Sequence, residues 1–164
     1  MASVFSFPNP VNEKAARTVA VGVVLMGVTY IVTGWMPLLI VMTYGFLARV
    51  ASGPRFSPLG QIATRIVAPR LGAERLTPGP PKRFAQSIGF IFTATALGLD
   101  LGGLHLASRV VIAGLVVAAS LEGFAGYCLG CKMFTIGIRA GIVPEHICVE
   151  CADITKRYPQ LNAK

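Results

Sequence analysis

The fold is decided by residues 105–131, which read HLASRVVIAGLVVAASLEGFAGYCLGC. The run from His105 to Tyr127 is apolar and long enough to cross a bilayer, which takes about 20 predominantly apolar helical residues. Directly after it comes Cys128-Leu129-Gly130-Cys131, a C-x-x-C pair. A span that ends in two closely spaced thiols predicts a membrane protein that holds a thiol site at the edge of the bilayer.

The composition supports a membrane location for the whole chain. Hydrophobic residues make up 54% of the 164 residues and charged residues only 13%, whereas a soluble domain has about 25% charged residues. We therefore expect one integral-membrane domain over residues 1–164, with the lipid bilayer as its surroundings.

Four apolar runs predict an all-α fold with four transmembrane helices. The runs cover about residues 11–34, 36–50, 84–101 and 105–127. A loop, residues 52–83, separates the second run from the third, and a cysteine-bearing helical segment, residues 128–154, follows the fourth. The expected architecture is a four-helix membrane bundle.

The loop of residues 52–83 contains a short amphipathic helix. Ser57 suits the N-cap of this helix and Pro58 its first position. The apolar residues that share one face are Leu59, Ile62, Ile66 and Val67. The helix is therefore expected either to lie on an anionic leaflet or to pack on the base of the bundle.

The distribution of Lys and Arg predicts the orientation of the spans. The turns at residues 34–37 and 102–104 contain neither residue type, the loop of residues 52–83 contains six, and the segment after Cys131 contains five. The positive-inside rule then places the loop and both termini in the cytoplasm, in the inner (plasma) membrane. The positive-inside distribution of Lys and Arg also explains the net charge of +8, and we expect no nucleic-acid partner.

The four cysteines of the chain form two C-x-x-C pairs with sixteen residues between them, Cys128 with Cys131 and Cys148 with Cys151. This spacing suits four thiolates around one tetrahedral Zn²⁺. It equally suits two redox-active dithiols. A permanent disulfide is not expected in the reducing cytoplasm.

The charges near the two pairs differ. Lys132 follows Cys131 directly and favours a thiolate, whereas acidic residues flank the second pair, namely Glu145, Glu150 and Asp153. Opposite charges favour the ionised thiol and like charges disfavour it. If the site is a redox relay, Cys128 and Cys131 are the catalytic residues.

Glu122 lies inside the fourth apolar run, where a carboxylate is costly unless it faces protein. Its expected partners are Arg17 and Arg49, whose helix ends lie on the same side. The carboxylate either takes part in proton transfer or locks the bundle through an ion pair. The charged residues at the other end of the bundle, Asp100, His105 and Arg109, could form a charge-pair site for a substrate, but a solvated hairpin end is expected, because exposed charge pairs are common.

Four stretches resemble a known family. They are residues 7–13 (FPNPVNE), 44–49 (YGFLAR), 80–86 (PPKRFAQ) and 127–132 (YCLGCK). These motifs are similar to a bacterial, largely actinobacterial, integral-membrane family known as domain of unknown function 4395. The resemblance implies a small four-span protein whose shared C-x-x-C is Cys128 and Cys131, with thioredoxin-like or sulfurtransferase proteins as partners.

Three functions stay open on this evidence. The first is a membrane thiol protein for thiol–disulfide redox or sulfur transfer. The second is a scaffold in which the four cysteines bind structural Zn²⁺. The third is an accessory subunit of a larger membrane complex or transporter. Only the first of these would make the chain an enzyme.

Overall fold

The computed structural model of the protein describes residues 7–142 and Pro144, and this part of the chain is almost entirely helical. In chain order the helices are α1 (Glu13–Thr33), α2 (Met36–Ser52), α3 (Pro58–Ile62), α4 (Ala68–Arg70), α5 (Gly79–Leu101), α6 (His105–Ala125) and α7 (Leu129–Arg139). A short strand, β1 (Val11–Asn12), precedes α1, and another, β2 (Leu76–Thr77), precedes α5.

Four helical stretches are long and apolar enough to cross a membrane, which confirms the predicted all-α membrane bundle. They contain α1, α2, α5 and α6. α1 packs mainly against α6, α2 against α5, and α5 against α6. The centre of the bundle is filled by fully buried side chains, among them Tyr30, Leu39, Met42 and Ile112. Many large apolar side chains point outward instead, as expected where lipid is the solvent.

The ends of three spans differ from the prediction for local reasons. Asn12 caps α1 by accepting a hydrogen bond from the Lys14 amide at 2.9 Å, so this helix starts at Glu13 rather than at residue 11. α5 starts at Gly79, five residues earlier than expected, because prolines are tolerated in the first helical turn. α6 ends at Ala125 because Gly126 adopts a left-handed conformation with φ of 68°.

The predicted amphipathic helix is a broken helical segment, residues 58–70, which we call the interfacial segment. It consists of α3, a π-helical turn (Ala63–Val67) and α4. Its buried residues are small, Gly60, Ala63 and Ala68, whereas Ile62 and Ile66 are exposed. The π-helical turn changes the helical register, so the apolar face expected from a regular helix is divided. The segment packs on α1 and α2 with Leu59 against the core, and it presents Ile62 and Ile66 outward.

A two-stranded ribbon joins the N-terminal residues to the start of α5. β1 pairs antiparallel with β2, with Val11 opposite Thr77 and Asn12 opposite Leu76. The Glu13 amide also donates to the Arg75 carbonyl at 2.7 Å. This ribbon could not be predicted from the sequence, since strands of two residues leave no periodic pattern. The ribbon holds the first turns of α1 and α5 at the same end of the bundle.

The opposite end of the bundle is closed by a polar network. The Tyr30 hydroxyl donates to Asp100 Oδ1 at 2.9 Å and lies 2.7 Å from Ser108 Oγ. His105 Nδ1 lies 2.9 Å from the same Asp100 oxygen. Tyr30, Asp100 and Ser108 are buried. The expectation of a solvated hairpin end is therefore wrong for Asp100, because the buried tyrosine needs a hydrogen-bond partner.

Candidate functional site

The first cysteine pair lies at the start of α7. Gly126 ends α6, and Cys128 then occupies the N-cap of α7, two residues later. The Cys128 sulfur accepts a hydrogen bond from the Cys131 backbone N–H at 3.3 Å. Cys128 therefore lies at the positive end of the α7 dipole, where a negative charge is stabilised. The helical path is therefore broken at Gly126, between α6 and α7.

A buried ion pair lies beside these thiols. Lys82 Nζ, from the first turns of α5, is 2.5 Å from Glu122 Oε1, from the last turn of α6. Their side chains are only 8% and 16% exposed. Glu122 faces protein as predicted, but the prediction that it meets Arg17 or Arg49 is wrong. The ribbon and the packing of α5 against α6 place Lys82, rather than either arginine, beside the Glu122 carboxylate.

The two arginines instead hold the scaffold around the site. Arg17 donates to the carbonyls of Gly123 and Phe124, at 3.2 and 2.9 Å, near the C-terminus of α6. A cation there satisfies carbonyls that lack helical partners. Arg17 therefore stabilises the end of α6 rather than the charge of Glu122.

Arg49 is buried and fixes the interfacial segment. Its Nε donates to Gln86 Oε1 at 2.8 Å and its Nη1 donates to Ser57 Oγ at 2.9 Å. The guanidinium also lies over the Phe46 ring, 4.5 Å from its centroid. These contacts join α2, α5 and the N-cap of α3, so Arg49 positions elements around the site.

The two thiols differ strongly in acidity. The hydrogen bond from the Cys131 thiol is the main cause that lowers the pKa of Cys128, and the ammonium of Lys82 adds to it, against burial and the Glu122 carboxylate. The same hydrogen bond, together with burial, raises the pKa of Cys131 well above its usual range. Cys128 is therefore the more acidic thiol of the pair, and Cys131 is the thiol that donates a hydrogen bond to its ionised form.

Lys132 does not have the role that the sequence predicted. Its Nζ lies over the ring of Tyr127, 5.5 Å from the centroid, whereas Lys82 is the cation that favours the Cys128 thiolate. In the sequence, Lys82 is one of six basic residues of the predicted loop. The signal for its role was its place at the start of the third span, on the side where the fourth span ends.

A cavity of about 420 Å³ extends from the thiols into the bundle. Its walls come from α1, α2, α5, α6 and the start of α7. Most lining residues are apolar, among them Ala20, Val23, Phe92, Leu115, Ala118 and Met133. Cys128 and Glu122 also line it. The site thus combines an ionisable thiol with a space suited to an apolar molecule.

The sequence that forms this bundle matches the model of a known family. The model of the family described as Domain of unknown function (DUF4395) matches residues 11–139. The chain belongs to the DUF4395 family. No curated protein and no solved structure matches it.

The DUF4395 match has the same limits as the described bundle. It begins at β1 and ends at Arg139, the last residue of α7. The matched region of this DUF4395 chain therefore contains Lys82, Glu122, Cys128 and Cys131, and it ends before Cys148.

The predicted zinc site of this DUF4395 protein stays a prediction. Within residues 7–142 and Pro144, no group of three or more His, Cys, Asp and Glu side chains is placed to hold a metal ion. Two of the four predicted ligands, Cys148 and Cys151, lie outside the described residues. The expectation that both pairs form one site, by metal or by disulfide exchange, depends on those two residues as well.

Proposed function

We propose that this DUF4395 protein is a membrane thiol–disulfide oxidoreductase in which Cys128 is the attacking thiol and Cys131 the resolving thiol. The observation that carries the proposal is the position of Cys128 at the N-cap of α7, with its sulfur 3.3 Å from the Cys131 backbone nitrogen. Thiols at helix N-termini ionise more easily, and the thiolate is the nucleophile in disulfide exchange.

The reaction proceeds in two exchange steps. The Cys128 thiolate attacks one sulfur of a partner disulfide, which forms a mixed disulfide and releases the partner's other sulfur as a thiolate. The Cys131 thiol then loses its proton and attacks the Cys128 sulfur. This step forms the Cys128–Cys131 disulfide and releases the partner's second thiolate, so the partner gains two electrons and the protein loses two. A thioredoxin-like protein on the cytoplasmic side of the inner membrane is the class of partner that this exchange suits.

Two alternatives use the same residues. In sulfur transfer, the Cys128 thiolate would accept a sulfane sulfur from a sulfurtransferase. In the structural alternative, Cys128, Cys131, Cys148 and Cys151 would bind one Zn²⁺ and hold the end of the bundle. The position of Cys128 at the N-cap of α7, where it accepts from the Cys131 amide, favours thiol exchange, because it makes one thiol of the pair the nucleophile.

The test is a titration with an aromatic disulfide that releases a coloured thiolate. The protein is purified in mild detergent as the Cys148→Ser/Cys151→Ser variant, so that only the first pair reacts. We expect the intact pair to release two coloured thiolates per protein, because Cys131 displaces the one bound to Cys128. Cys131→Ser should release one and keep the other as a stable mixed disulfide.

Cys128→Ser is the matched control. We expect it to react at least about tenfold more slowly than Cys131→Ser, since Cys131 lacks the N-cap position of Cys128 and burial raises its pKa. Equal rates in the two single variants would contradict the assignment of roles. Zinc analysis of the unsubstituted chain separates the structural alternative. About one equivalent of zinc, with loss of the fold when any one cysteine is replaced, would favour that alternative.

A further inference from the structure

The cavity beside the thiols reaches the outer surface of the bundle. Its lining includes Phe92 of α5 and Gly114 of α6, and both residues are exposed. A ring carbon of Phe92 lies 3.4 Å from the position that a Cβ atom would take at Gly114. Gly114 is two turns before Glu122, which places it about 12 Å away along the helix axis. The cavity therefore leads from the lipid-facing surface between α5 and α6 to the thiol site.

Polar groups that line this cavity lie at its thiol end. Glu122 is held there by Lys82, and Cys128 is beside them. Gln86 also lines the cavity, and its Oε1 accepts from Arg49, which leaves its amide nitrogen as the atom of that side chain that can donate to a ligand carbonyl. The remaining wall is apolar. An occupant should therefore have a small carbonyl-bearing head and an apolar body.

We propose that this cavity binds the head group of a membrane quinone and that the Cys128–Cys131 dithiol passes two electrons to it. This inference rests on the proposed function, and it names the lipid-soluble electron acceptor of the same site. A volume of about 420 Å³ lies within the roughly 300–1,000 Å³ typical of small-molecule sites. A phospholipid acyl chain would fill the apolar part but would leave Gln86 without a carbonyl partner.

The electrons and protons balance in two steps. The Cys128 thiolate adds to a ring carbon of the quinone, so that a sulfur–carbon bond forms. Cys131 loses its proton and attacks the Cys128 sulfur. The disulfide forms, the sulfur–carbon bond breaks, and its electron pair stays on the ring. One proton comes from the Cys131 thiol and the second from water. The products are one disulfide and one quinol. Disulfide exchange is reversible, so the dithiol of a reduced thioredoxin-like partner restores the Cys128–Cys131 dithiol by the exchange steps of the proposed function in reverse. Two electrons then pass from that partner to the quinone.

The test measures quinol formation by the reduced protein with decylubiquinone as the probe. Its ring positions are all substituted, which disfavours stable addition of thiols. The protein carries Cys148→Ser/Cys151→Ser, so that electrons come from the first pair. We expect one quinol per protein, with loss of two free thiols. Cys128→Ser should abolish the reaction.

A pair of neighbouring substitutions on α6 tests the cavity itself. Ala118→Phe adds a ring to a residue that lines the cavity, and we expect the rate of quinol formation to fall about tenfold or more. Val117→Phe is the matched control, because Val117 is 62% exposed on the outer face of the same helix. It should stay within about twofold of the parent rate, since it leaves the cavity unchanged. Ala118→Leu repeats the test with a smaller side chain if the phenylalanine variant does not fold.

The outcomes separate this inference from the proposed function. Val117→Phe should still release two coloured thiolates in the disulfide titration, and the quinone rate of each α6 variant is compared with the rate of its own titration. Failure of that titration in the parent protein would overturn the proposed function. A normal titration without quinol formation would overturn the quinone inference alone. So would equal quinone rates in Ala118→Phe and Val117→Phe, or a purified protein that retains phospholipid and does not react with the quinone.

Discussion

Lys82 and Glu122 form one ion pair, but they act on Cys128 in opposite directions. The Glu122 carboxylate raises the pKa of Cys128 and the Lys82 ammonium lowers it. Glu122→Gln should therefore move the pH profile of Cys128 alkylation to lower pH, and Lys82→Met should move it to higher pH. The measurement is the rate of iodoacetamide labelling of Cys128 against pH, read by mass spectrometry.

Lys132→Met is the control for that experiment, because it makes the same change at a lysine that lies over Tyr127. Its shift should be smaller than that of Lys82→Met. A larger shift for Lys132→Met, or shifts of the same sign for Glu122→Gln and Lys82→Met, would contradict the assignment.

The residue types alone identified Cys128 and Glu122, because an ionisable group near an apolar span is conspicuous. They did not identify Lys82, because Arg17 and Arg49 lie equally near the same end and only helix rotation separates the three.

At the scale of elements, the contact between α7 and α5 depends on Gly130. A Cβ atom at Gly130 would lie 2.6 Å from Ala85 Cβ and 2.7 Å from Ala85 Cα. Because one of these contacts is with backbone, the start of α7 would have to move away from α5. We expect Gly130→Ala to slow the disulfide titration of Cys128 about tenfold, as small misplacements in a site have large effects on rate.

Gly98→Ala is the matched substitution within α5, where a Cβ atom would meet nothing within 4 Å. It should leave the titration unchanged and raise thermal stability slightly, by up to about 1 kcal/mol, because alanine favours the helix. A normal titration in Gly130→Ala would show that close packing of α7 is not required.

The existence of the helices followed from the apolar runs. The break after Ala125 and the π-helical turn did not, since both depend on how a helix end meets its neighbours.

For the whole molecule, the prediction concerns the side of the membrane on which the thiols lie. The loop of residues 52–83 and Cys128 are at the same end of the bundle, since the ribbon, Lys82 and Glu122 all meet there. In a background with all four cysteines replaced by serine, Ala73→Cys should react with an impermeant maleimide only when the cytoplasmic side is exposed.

Trp35→Cys is the opposite control, because Trp35 is exposed in the turn between α1 and α2. It should be labelled from the outside. The reverse pattern would place the thiols in an oxidising compartment and would favour a protein that is oxidised rather than reduced at rest.

The number of spans could be predicted from the sequence because bilayer thickness fixes their length. The cavity could not, because it depends on side chains from helices that are far apart in the chain.

Helices that pack against each other are not synthesised one after the other. α1 has its largest contact with α6, yet the ribosome completes α6 only after every other span. Until then Tyr30 of α1 lacks Ser108, a partner that α6 supplies. Cys128 and Cys131 leave the ribosome later still. A chain whose translation stops early is therefore incompletely packed and open to membrane proteases. It also lacks the reactive thiols.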